Sequence, residues 1–520
     1  MLYLAFIYHM HQPYYRNLLT GESPFPWVRL HGLKDYLDMV EILKSYPRVH
    51  QTFNLVPSLI EQIEEYISGS TKDKFLELSY KPADQLSAED KKFLLEYFFS
   101  IYTDYCVAIF PRYYELYFKK KAKTEFTVQD YLDLQVLFNL AWFDPLFRQS
   151  IPDLSELIKK ARFFTEEEKR LCLDVQIDIL KRIIPAYKEA MERAQIEVTL
   201  SPFYHPILPL LYNTKTAKEA CIRVVLPKVI FSYPQDVESQ VMSAVSYYKE
   251  KFGMPPTGMW PSEESVCEHI LPTLINAGIK WIVADEAVLI KSLKLKKRNS
   301  QLVYQPHLLK RKDGELTIIF RDRNLSDLIG FEYHRYPKAE DAVNNFMSHL
   351  ENIAKAFKDS DPFVAVALDG ENAWEYYRND GHDFLALLYK RLSEAPFLKC
   401  VTVNEYLSEF PATHSIKRLA AGSWIHGDFG KWIGSPYKNL AWEYLAKARQ
   451  ELDSYPKEAQ NYALAQKQMA IAEGSDWFWW YGDDHGYFDE LFRMHLANFY
   501  TIINKEVPPY LKKPLEPLKS

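Results

Sequence analysis

Short apolar runs that stop abruptly at polar residues recur along the whole chain. Most are rich in β-branched or aromatic residues, and helical stretches often separate them, which is typical of buried parallel strands. The seven runs are LYLAFIY before His9 and His11, VHQTFNLV with Gln51 and Asn54, EVTLSPFY before His205, TGMW before Glu263 and Glu264, KWIVA before Asp285 and Glu286, LTIIF before Arg321 and Asp322, and FVAVAL before Asp369 and Glu371.

The polar residues after these runs indicate the type of sheet. In α/β barrels the reactive groups lie at the carboxyl ends of the strands and on the loops that follow them. Any single strand becomes polar where it reaches solvent, but seven in succession favour a barrel. We therefore predict an α/β fold with a barrel-type domain, while the pattern leaves closure and strand number open.

Two long regions carry a helical pattern instead. Amphipathic stretches such as LSAEDKKFLLEYFFSIYTDY fill residues 58–195, and stretches such as NLAWEYLAKARQELDSY follow from about Pro411. We predict a catalytic barrel over residues 1–410 that includes a mainly helical insertion at about 58–195. Residues 411–520 should form a C-terminal helical domain that completes the active-site cleft.

Composition and charge narrow the possible partners. The 520 residues carry 63 Lys and Arg against 69 Asp and Glu, a net charge of −6, which favours neither nucleic acid nor an anionic membrane. The five cysteines form no CxxC pair, so a disulfide framework or a zinc knuckle is not expected. The N-terminal run lacks a basic segment, and no stretch approaches the ~20 apolar residues of a membrane span. We predict a cytoplasmic protein with a neutral partner.

Aromatic residues make up 15% of the chain. Many must be core residues, because aromatic side chains bury large areas. A protein that handles sugars also needs them, because the C–H face of a pyranose packs on a flat ring. The segment SDWFWWYGDDH, residues 475–485, fits both interpretations: its rings could join the helical domain to the barrel, or they and Asp483 could border sugar subsites.

Two acidic motifs are candidates for catalysis. GMWPSEESV places Glu263 shortly after a strand, where it could also be the first turn of a helix with Ser262 as N-cap. VALDGENAW places Asp369 and Glu371 directly after an apolar run. Two carboxyl groups brought to one barrel mouth are what glycosidic bond cleavage requires. The apolar surroundings of Asp369 could raise its pKa and keep it protonated as an acid.

The HMHQP segment places His9 and His11 on one side of an extended strand. Such a pair can bind a metal, can hydrogen-bond sugar hydroxyls or can be structural. Neither a cysteine nor a nearby acidic residue in the sequence completes a metal site, so we expect no metal and no cofactor.

Five segments in order resemble the signature regions of glycoside hydrolase family 57, a family of α-glucan-active enzymes. They are HMHQP at 9–13, SPFYHPILPLL at 201–211, GMWPSEESV at 258–266, VALDGENAWEYY at 366–377, and GSWIHGDFGKWIG with the following NLAWEYLAKAR at 422–449. The resemblance implies a retaining mechanism on an incomplete (β/α)7 barrel followed by a helical domain, with an α-glucan or maltooligosaccharide as substrate.

The resemblance also implies roles for particular residues. By motif position Glu263 would be the nucleophile and Asp369 the general acid/base. The predicted substrate-binding residues are His9, His11, Gln12, His205, Trp260, Glu371, Trp374, Trp432 and Asp483.

The motifs favour one reaction and leave three alternatives. His205 in FYHP resembles the amylase and amylopullulanase-like branch of the family, so hydrolysis of α-1,4 links is the first expectation. A 4-α-glucanotransferase is the alternative, since one glycosyl-enzyme intermediate serves both reactions. A metal-dependent polysaccharide deacetylase and a non-catalytic glucan-binding protein are the alternatives from other classes.

Overall fold

A computed structural model of the protein describes residues 1–482 and 486–516. All seven apolar runs contain strands, as predicted. The strands are β1 Leu2–Met10, β2 Glu22–Ser23, β3 Gln51–Leu55, β4 Lys72–Asp73, β5 Ile196–Thr199, β6 Gly258–Met259, β7 Trp281–Asp285, β8 His307–Arg311, β9 Gly314–Arg321, β10 Phe363–Asp369, β11 Leu398–Cys400 and β12 His414–Ser415.

Seven parallel strands nearly close into a barrel. β1 is central, with β3 on one side and β10 on the other, and β5 continues beyond β3. β6, β7 and β9 form the far wall. The two halves meet through a parallel bridge between Leu200 and Met259 and through the pair Ala365 and Arg321. The predicted α/β class and the incomplete seven-stranded barrel are confirmed.

The remaining strands lie outside this ring and were not predicted. β8 pairs antiparallel with β9, and β12 adds to β8. β11 pairs with the start of β1, while β2 and β4 form a separate two-stranded pair. Most are two or three residues long, and β8 (HLLKR) has only two apolar residues before Lys310 and Arg311, so none produces a continuous apolar run.

Helices cover the barrel and fill the insertion after β3. Before and within the insertion they are α1 Trp27–His31, α2 Asp38–Glu41, α3 Pro57–Ile67, α4 Lys74–Tyr80, α5 Ala88–Tyr97, α6 Pro111–Lys121, α7 Val128–Ala141, α8 Pro145–Ser150, α9 Pro152–Lys160 and α10 Glu166–Glu192. Between β5 and β12 they are α11 Leu208–Tyr212, α12 Ala217–Ala220, α13 Pro234–Phe252, α14 Leu271–Asn276, α15 Glu286–Ser292, α16 Ser300–Val303, α17 Arg323–Asp327, α18 Ala339–Ala356, α19 His382–Glu394 and α20 Val403–Glu409.

The C-terminal helices begin later than the sequence pattern suggested. They are α21 Pro436–Ser454, α22 Tyr462–Ala472, α23 Ser475–Trp480 and α24 Tyr487–Ile502. The preceding segment stays on the barrel, because β12 pairs with β8 and Gly422 pairs with Val266. The division into units 1–410 and 411–520 stays a prediction. In the described part of the chain, every helix is too short or too polar to cross a bilayer.

The period of two along each strand determines what faces the barrel interior. Tyr3, Ala5 and Ile7 of β1 pack inside with alternate residues of β7, β9 and β10, whereas Leu2, Leu4 and Phe6 belong to the larger core. His9 and Asp369 continue the inward-facing series of β1 and β10. The apolar interior therefore ends in polar side chains at the barrel mouth.

Candidate active site

The barrel mouth opens into a cavity of about 640 Å³. His9 and Asp369 are a registered pair of β1 and β10, and the N–H of Gly370 donates to the carbonyl of His9 at 2.8 Å. The cavity is lined by His9, His11, Gln12, Pro13, Tyr15, His205, Glu263, Arg321, Arg323, Asp327, Phe331, Asp369, Glu371, Asn372, Trp424, Ile425, His426, Asp476, Trp479, Trp480 and Phe488. Both candidate catalytic carboxyl groups thus face one space.

Glu263 reaches this cavity through a strained turn. The two-residue strand β6 is followed by Pro261 and a 3₁₀ turn over Ser262–Glu264, in which Glu263 has φ 58° and Glu264 has φ 49°. Left-handed backbone at a residue with a side chain costs of order 1–3 kcal/mol and is found where the fold fixes it, often at functional sites. The Ser262 hydroxyl is buried without a hydrogen-bond partner and Glu263 is not helical, so the helix-start interpretation of this motif does not hold.

The C-terminal region holds the Glu263 carboxyl group. The Trp424 indole N–H donates to Oε2 at 2.8 Å, and the Ser475 hydroxyl donates to Oε1 at 3.3 Å. The backbone N–H of Trp424 also donates to the carbonyl of Glu263 at 3.2 Å. Burial raises the pKa of Glu263 to about 8; Trp424 and Ser475 lower it, while the carboxylates of Asp369 and Asp476 raise it further.

Asp369 is held mainly by its own strand. Its Oδ2 accepts a hydrogen bond from the Asn372 amide at 3.1 Å. Burial raises the pKa of Asp369, whereas this hydrogen bond and the charges of His11 and Arg321 lower it. Glu371 also lines the cavity and accepts the backbone N–H of His11 at 3.1 Å. Burial and the Asp369 charge raise the pKa of Glu371 well above its usual value.

Three histidines stack beside the carboxyl groups. His205 lies 4.0 Å from His11 and 4.9 Å from His9 between ring centroids, and Trp260 stacks on the other side of His9 at 4.8 Å. Burial lowers the pKa of His9 to about 3 and that of His205 well below its usual value. His9 and His205 are therefore neutral near pH 7, and they can hydrogen-bond hydroxyls without adding charge.

Each histidine is fixed by a partner. His9 Nδ1 lies 2.6 Å from the Asn54 side-chain oxygen, so this nitrogen donates and Nε2 is left as an acceptor. His11 Nε2 lies 2.9 and 3.1 Å from the two oxygens of Asp476. His205 Nδ1 lies 3.0 Å from the Ser475 hydroxyl.

One group at the mouth has the donor atoms of a metal site. Within the described residues, ligand atoms of His11, His205 and Asp476 lie within 4.8 Å of one another. Two nitrogens and a carboxylate oxygen suit zinc, which binds such ligands at ~2.0–2.2 Å in tetrahedral geometry. The hydrogen bond between His11 and Asp476 would have to open for both side chains to bind one ion.

Several predicted residues lie at the cavity and others lie behind it. His9, His11, Gln12, His205, Glu263, Asp369 and Glu371 line it. Trp260 supports His9 from below. Trp374 and Trp432 are 1% and 0% exposed. Trp374 donates to the carbonyl of Gly370 at 2.7 Å, and Trp432 packs edge-on against Trp479 at 5.6 Å. Asp483 lies outside the described residues.

Some lining residues were not singled out from the sequence. Trp424 lies in the same segment as Trp432, and Asp476 opens the aromatic segment that follows Ser475. Arg321 was noted as a strand end, and its guanidinium lies 5.3 Å from the centre of the Trp424 ring. The aromatic segment at 475–481 was a usable signal for Asp476, because its rings had to pack near the barrel.

Comparison with known proteins identifies a family and several relatives. The model of "Glycosyl hydrolase family 57" matches residues 5–418. "Alpha-amylase 1" of Dictyoglomus thermophilum is 30% identical over 112 residues, which are 21% of this chain and 13% of that protein. "Alpha-amylase" of Pyrococcus horikoshii is 22% identical over 245 residues, 45% of this chain and 33% of that protein. The matched segments thus cover a third or less of these relatives.

Solved structures of low sequence identity share the fold. A branching enzyme of the same family from Thermococcus kodakaraensis superposes with a TM-score of 0.64 at 16% identity, covering 96% of this chain and 90% of that one. The α-amylase AmyC of Thermotoga maritima gives 0.61 at 14% identity, covering 96% and 92%. A 4-α-glucanotransferase of Thermococcus litoralis gives 0.55 at 15% identity, covering 96% and 59%.

Proposed function

Because the chain belongs to glycoside hydrolase family 57, we propose that it is a retaining enzyme that cleaves α-1,4-linked glucans, with hydrolysis as its main reaction. The observation that carries this proposal is the delivery of Glu263 and Asp369 from separate strand ends to one cavity. The two relatives named α-amylase support hydrolysis as the first choice.

The reaction runs through a covalent intermediate. The Glu263 carboxylate attacks the anomeric carbon while Asp369 donates its proton to the departing glycosidic oxygen. Water then attacks the same carbon, its proton passes to Asp369, and the bond to Glu263 breaks. Two inversions restore the α configuration.

These roles require one proton on the pair, located on Asp369. Burial raises the pKa of both carboxyl groups, so the pair retains one proton near neutral pH. The pKa of about 8 is that of Glu263, whereas the mechanism needs the proton on Asp369. Positive charge that develops at the anomeric carbon lowers the pKa of the adjacent Glu263 and favours its ionised form. The hydrogen bonds from Trp424 and Ser475 act in the same direction.

The surrounding side chains bind the sugar. Neutral His9 and His205 offer hydrogen bonds to hydroxyl groups, and His11, Gln12 and Glu371 lie on the same wall. Trp260, Trp374 and Trp432 are supporting residues behind the cavity, whereas Trp424, Trp479 and Trp480 present their rings to it. A neutral, hydroxyl-rich ligand fits this mixture of flat rings and polar groups.

The test is to incubate the protein with maltoheptaose and separate the products by chromatography, with Glu263→Gln as the control. Hydrolysis predicts shorter sugars alone, and none with the variant. A ladder above and below the starting length would make transfer the main reaction and the protein a 4-α-glucanotransferase. Products that a debranching enzyme shortens would indicate branching. Absence of any product, with retained binding, would leave a non-catalytic glucan-binding protein.

The cluster His11, His205 and Asp476 favours one second candidate, a metal-dependent polysaccharide deacetylase. A zinc ion there would polarise an acetyl carbonyl and activate water. Release of acetate from an acetylated glucan, abolished by a chelator and restored by zinc, would support this candidate. Retention of that activity in Glu263→Gln, together with no cleavage of glucans by the unaltered protein, would replace the glycosidase assignment.

A further inference from the structure

A second and larger cleft lies between the helical insertion and the C-terminal helices. Its volume is about 960 Å³, at the upper end of the ~300–1,000 Å³ of ligand pockets. Its walls are the segment 17–27, helices α4 and α5 of the insertion, and the first two turns of α24. Neither catalytic candidate lines it.

Aromatic rings line the cleft on both walls. Phe25 and Trp27 stack with parallel rings 6.4 Å apart, and Tyr487 meets Phe25 edge-on at 5.8 Å. Phe93 and Tyr97 from the insertion pack 4.6 Å apart. Phe25, Trp27, Phe93, Tyr97 and Tyr487 therefore all line one cleft.

The cleft continues the active-site cavity. Phe488 lines both spaces, and it stacks on Trp480 of the active-site cavity with ring centroids 5.2 Å apart. Tyr487, which is 47% exposed, is its neighbour in the chain. The stacked rings of Phe488 and Trp480 therefore lie where the two spaces meet.

The charges along the cleft nearly cancel. The cleft is lined by three lysines and four acidic residues, namely Lys72, Lys74, Lys81, Glu22, Glu77, Asp90 and Glu490. Lys81 is already paired with Asp90 at 2.6 Å. Such walls suit neither a strongly anionic nor a strongly cationic ligand. They suit a neutral chain that carries both apolar C–H faces and hydroxyl groups, because aromatic rings and polar side chains both line the cleft.

We propose that this aromatic cleft binds the distal part of a long α-1,4-glucan whose near end occupies the active-site cavity. The inference rests on the proposed function, and it adds a preference for long substrates. A short oligosaccharide fills the active-site cavity alone, whereas a longer chain gains contacts with Tyr487, Trp27 and Phe93. An amphipathic peptide is the other occupant that such walls could take, and binding of glucan distinguishes the two.

The kinetic test compares Tyr487→Ala and Trp27→Ala with the unaltered protein on maltotriose and on soluble amylose. The ratio of kcat/KM for amylose to that for maltotriose should fall about tenfold in each variant, the factor that corresponds to ~1.4 kcal/mol. Tyr114→Ala is the matched control, since Tyr114 is 38% exposed on α6 of the same insertion and lies outside the cleft. An unchanged ratio in the cleft variants overturns the inference.

A binding measurement separates this inference from the proposed reaction. Electrophoresis of full-length Glu263→Gln through gels containing amylose should show retardation that the added Tyr487→Ala weakens and the added Tyr114→Ala does not. If the unaltered protein cleaves no glucan but this pattern holds, the proposed function fails and the cleft stands. If the protein cleaves glucans and Tyr487→Ala leaves retardation unchanged, the cleft is not a glucan site.

Discussion

Asp369 and Glu263 face one cavity, but the fold positions them in different ways. Asp369 ends a seven-residue strand that pairs with β1 from Tyr3 and Phe363 to His9 and Asp369. Glu263 follows a two-residue strand and a turn with left-handed backbone. The sheet and the loop that follows β10 fix Asp369, whereas Glu263 needs contacts from elsewhere in the chain.

Those contacts come from far along the sequence. Trp424 and Ser475, which bond the Glu263 carboxyl group, lie more than 150 residues after it. The C-terminal region therefore contributes the hydrogen-bond donors that hold the Glu263 carboxyl group. Changes in that region should disturb Glu263 more than Asp369.

The largest expected effect separates the two carboxyl groups by their chemistry. Asp369→Ala should lose about 10²–10⁴-fold of kcat on maltoheptaose, the range for removal of a general acid, and Glu263→Ala should lose more. With a maltosyl fluoride, whose leaving group needs no proton, much of the Asp369→Ala loss should disappear. Glu264→Gln is the matched control and should cost far less, because Glu264 does not line the cavity.

Azide, added as an external nucleophile, should give different products with the Asp369→Ala and Glu263→Ala variants. It should replace water in Asp369→Ala and give an α-glycosyl azide, because the covalent intermediate still forms. In Glu263→Ala it should displace fluoride directly and give the β anomer. The opposite assignment of anomers by NMR would exchange the two roles.

The next largest effect on kcat should come from removing the hydrogen-bond donors to the Glu263 and Asp369 carboxyl groups. Trp424→Phe removes the donor to Glu263, and hydrogen bonds to charged groups contribute ~1.5–3 kcal/mol, so kcat should fall about 10- to 100-fold. Asn372→Ala removes the donor to Asp369, but Asn372 is exposed and water can replace it, so the loss should be smaller. Equal losses in steady-state kinetics would contradict the proposed difference between the two carboxyl groups.

The pH dependence tests the shared proton. Because burial raises both pKa values, the singly protonated pair should persist to about pH 8, and kcat/KM should fall above it as the pair loses its last proton. At low pH the second proton neutralises the nucleophile, so activity falls there too. Asp369→Asn measured on a glycosyl fluoride should lack the alkaline limb, since no acid is needed. Persistence of that limb would place the essential proton elsewhere.

Asp369 is positioned by a local strand and Glu263 by distant contacts, and this difference explains which features the sequence could predict. The seven strands were predictable because each apolar run is local and bounded, and the inward-facing series of β1 and β10 leads directly to His9 and Asp369. The pairing of Trp424 with Glu263 was not predictable, because it depends on how a distant segment packs. Strands β8 and β12 were missed because their pairing is tertiary and leaves no apolar run.

The tryptophans illustrate the same limit. Trp260, Trp374 and Trp432 were predicted to bind substrate, but they lie behind the cavity. Trp424, from the same motif as Trp432, lines the cavity together with Trp479 and Trp480. A motif identifies residues near a site, and the packing of neighbouring helices decides which rings face the ligand. Asp476 was missed for the same reason, since α23 brings it to His11 from the C-terminal region.

The smallest expected effect is on stability. It compares Gly258, in the strand that leads to Glu263, with Gly370, which follows Asp369. A Cβ at Gly258 would lie 2.1 Å from the buried Trp281 ring, whose indole N–H is already bonded to Glu197 and Asn404. A Cβ at Gly370 would lie 2.2 Å from the sulfur of Met10. The tryptophan is rigid and the methionine is flexible.

Gly258→Ala should therefore cost the ~1–3 kcal/mol of an overpacked core, and Gly370→Ala should cost less. The measurement is the midpoint of thermal unfolding by circular dichroism at one scan rate, with Gly253→Ala as a control whose added Cβ meets no atom within 4 Å but whose φ of 76° is strained. If Gly370→Ala lowers the midpoint as much as Gly258→Ala, Met10 cannot move aside. The Asp369 strand end would then be as tightly packed as the strand that leads to Glu263.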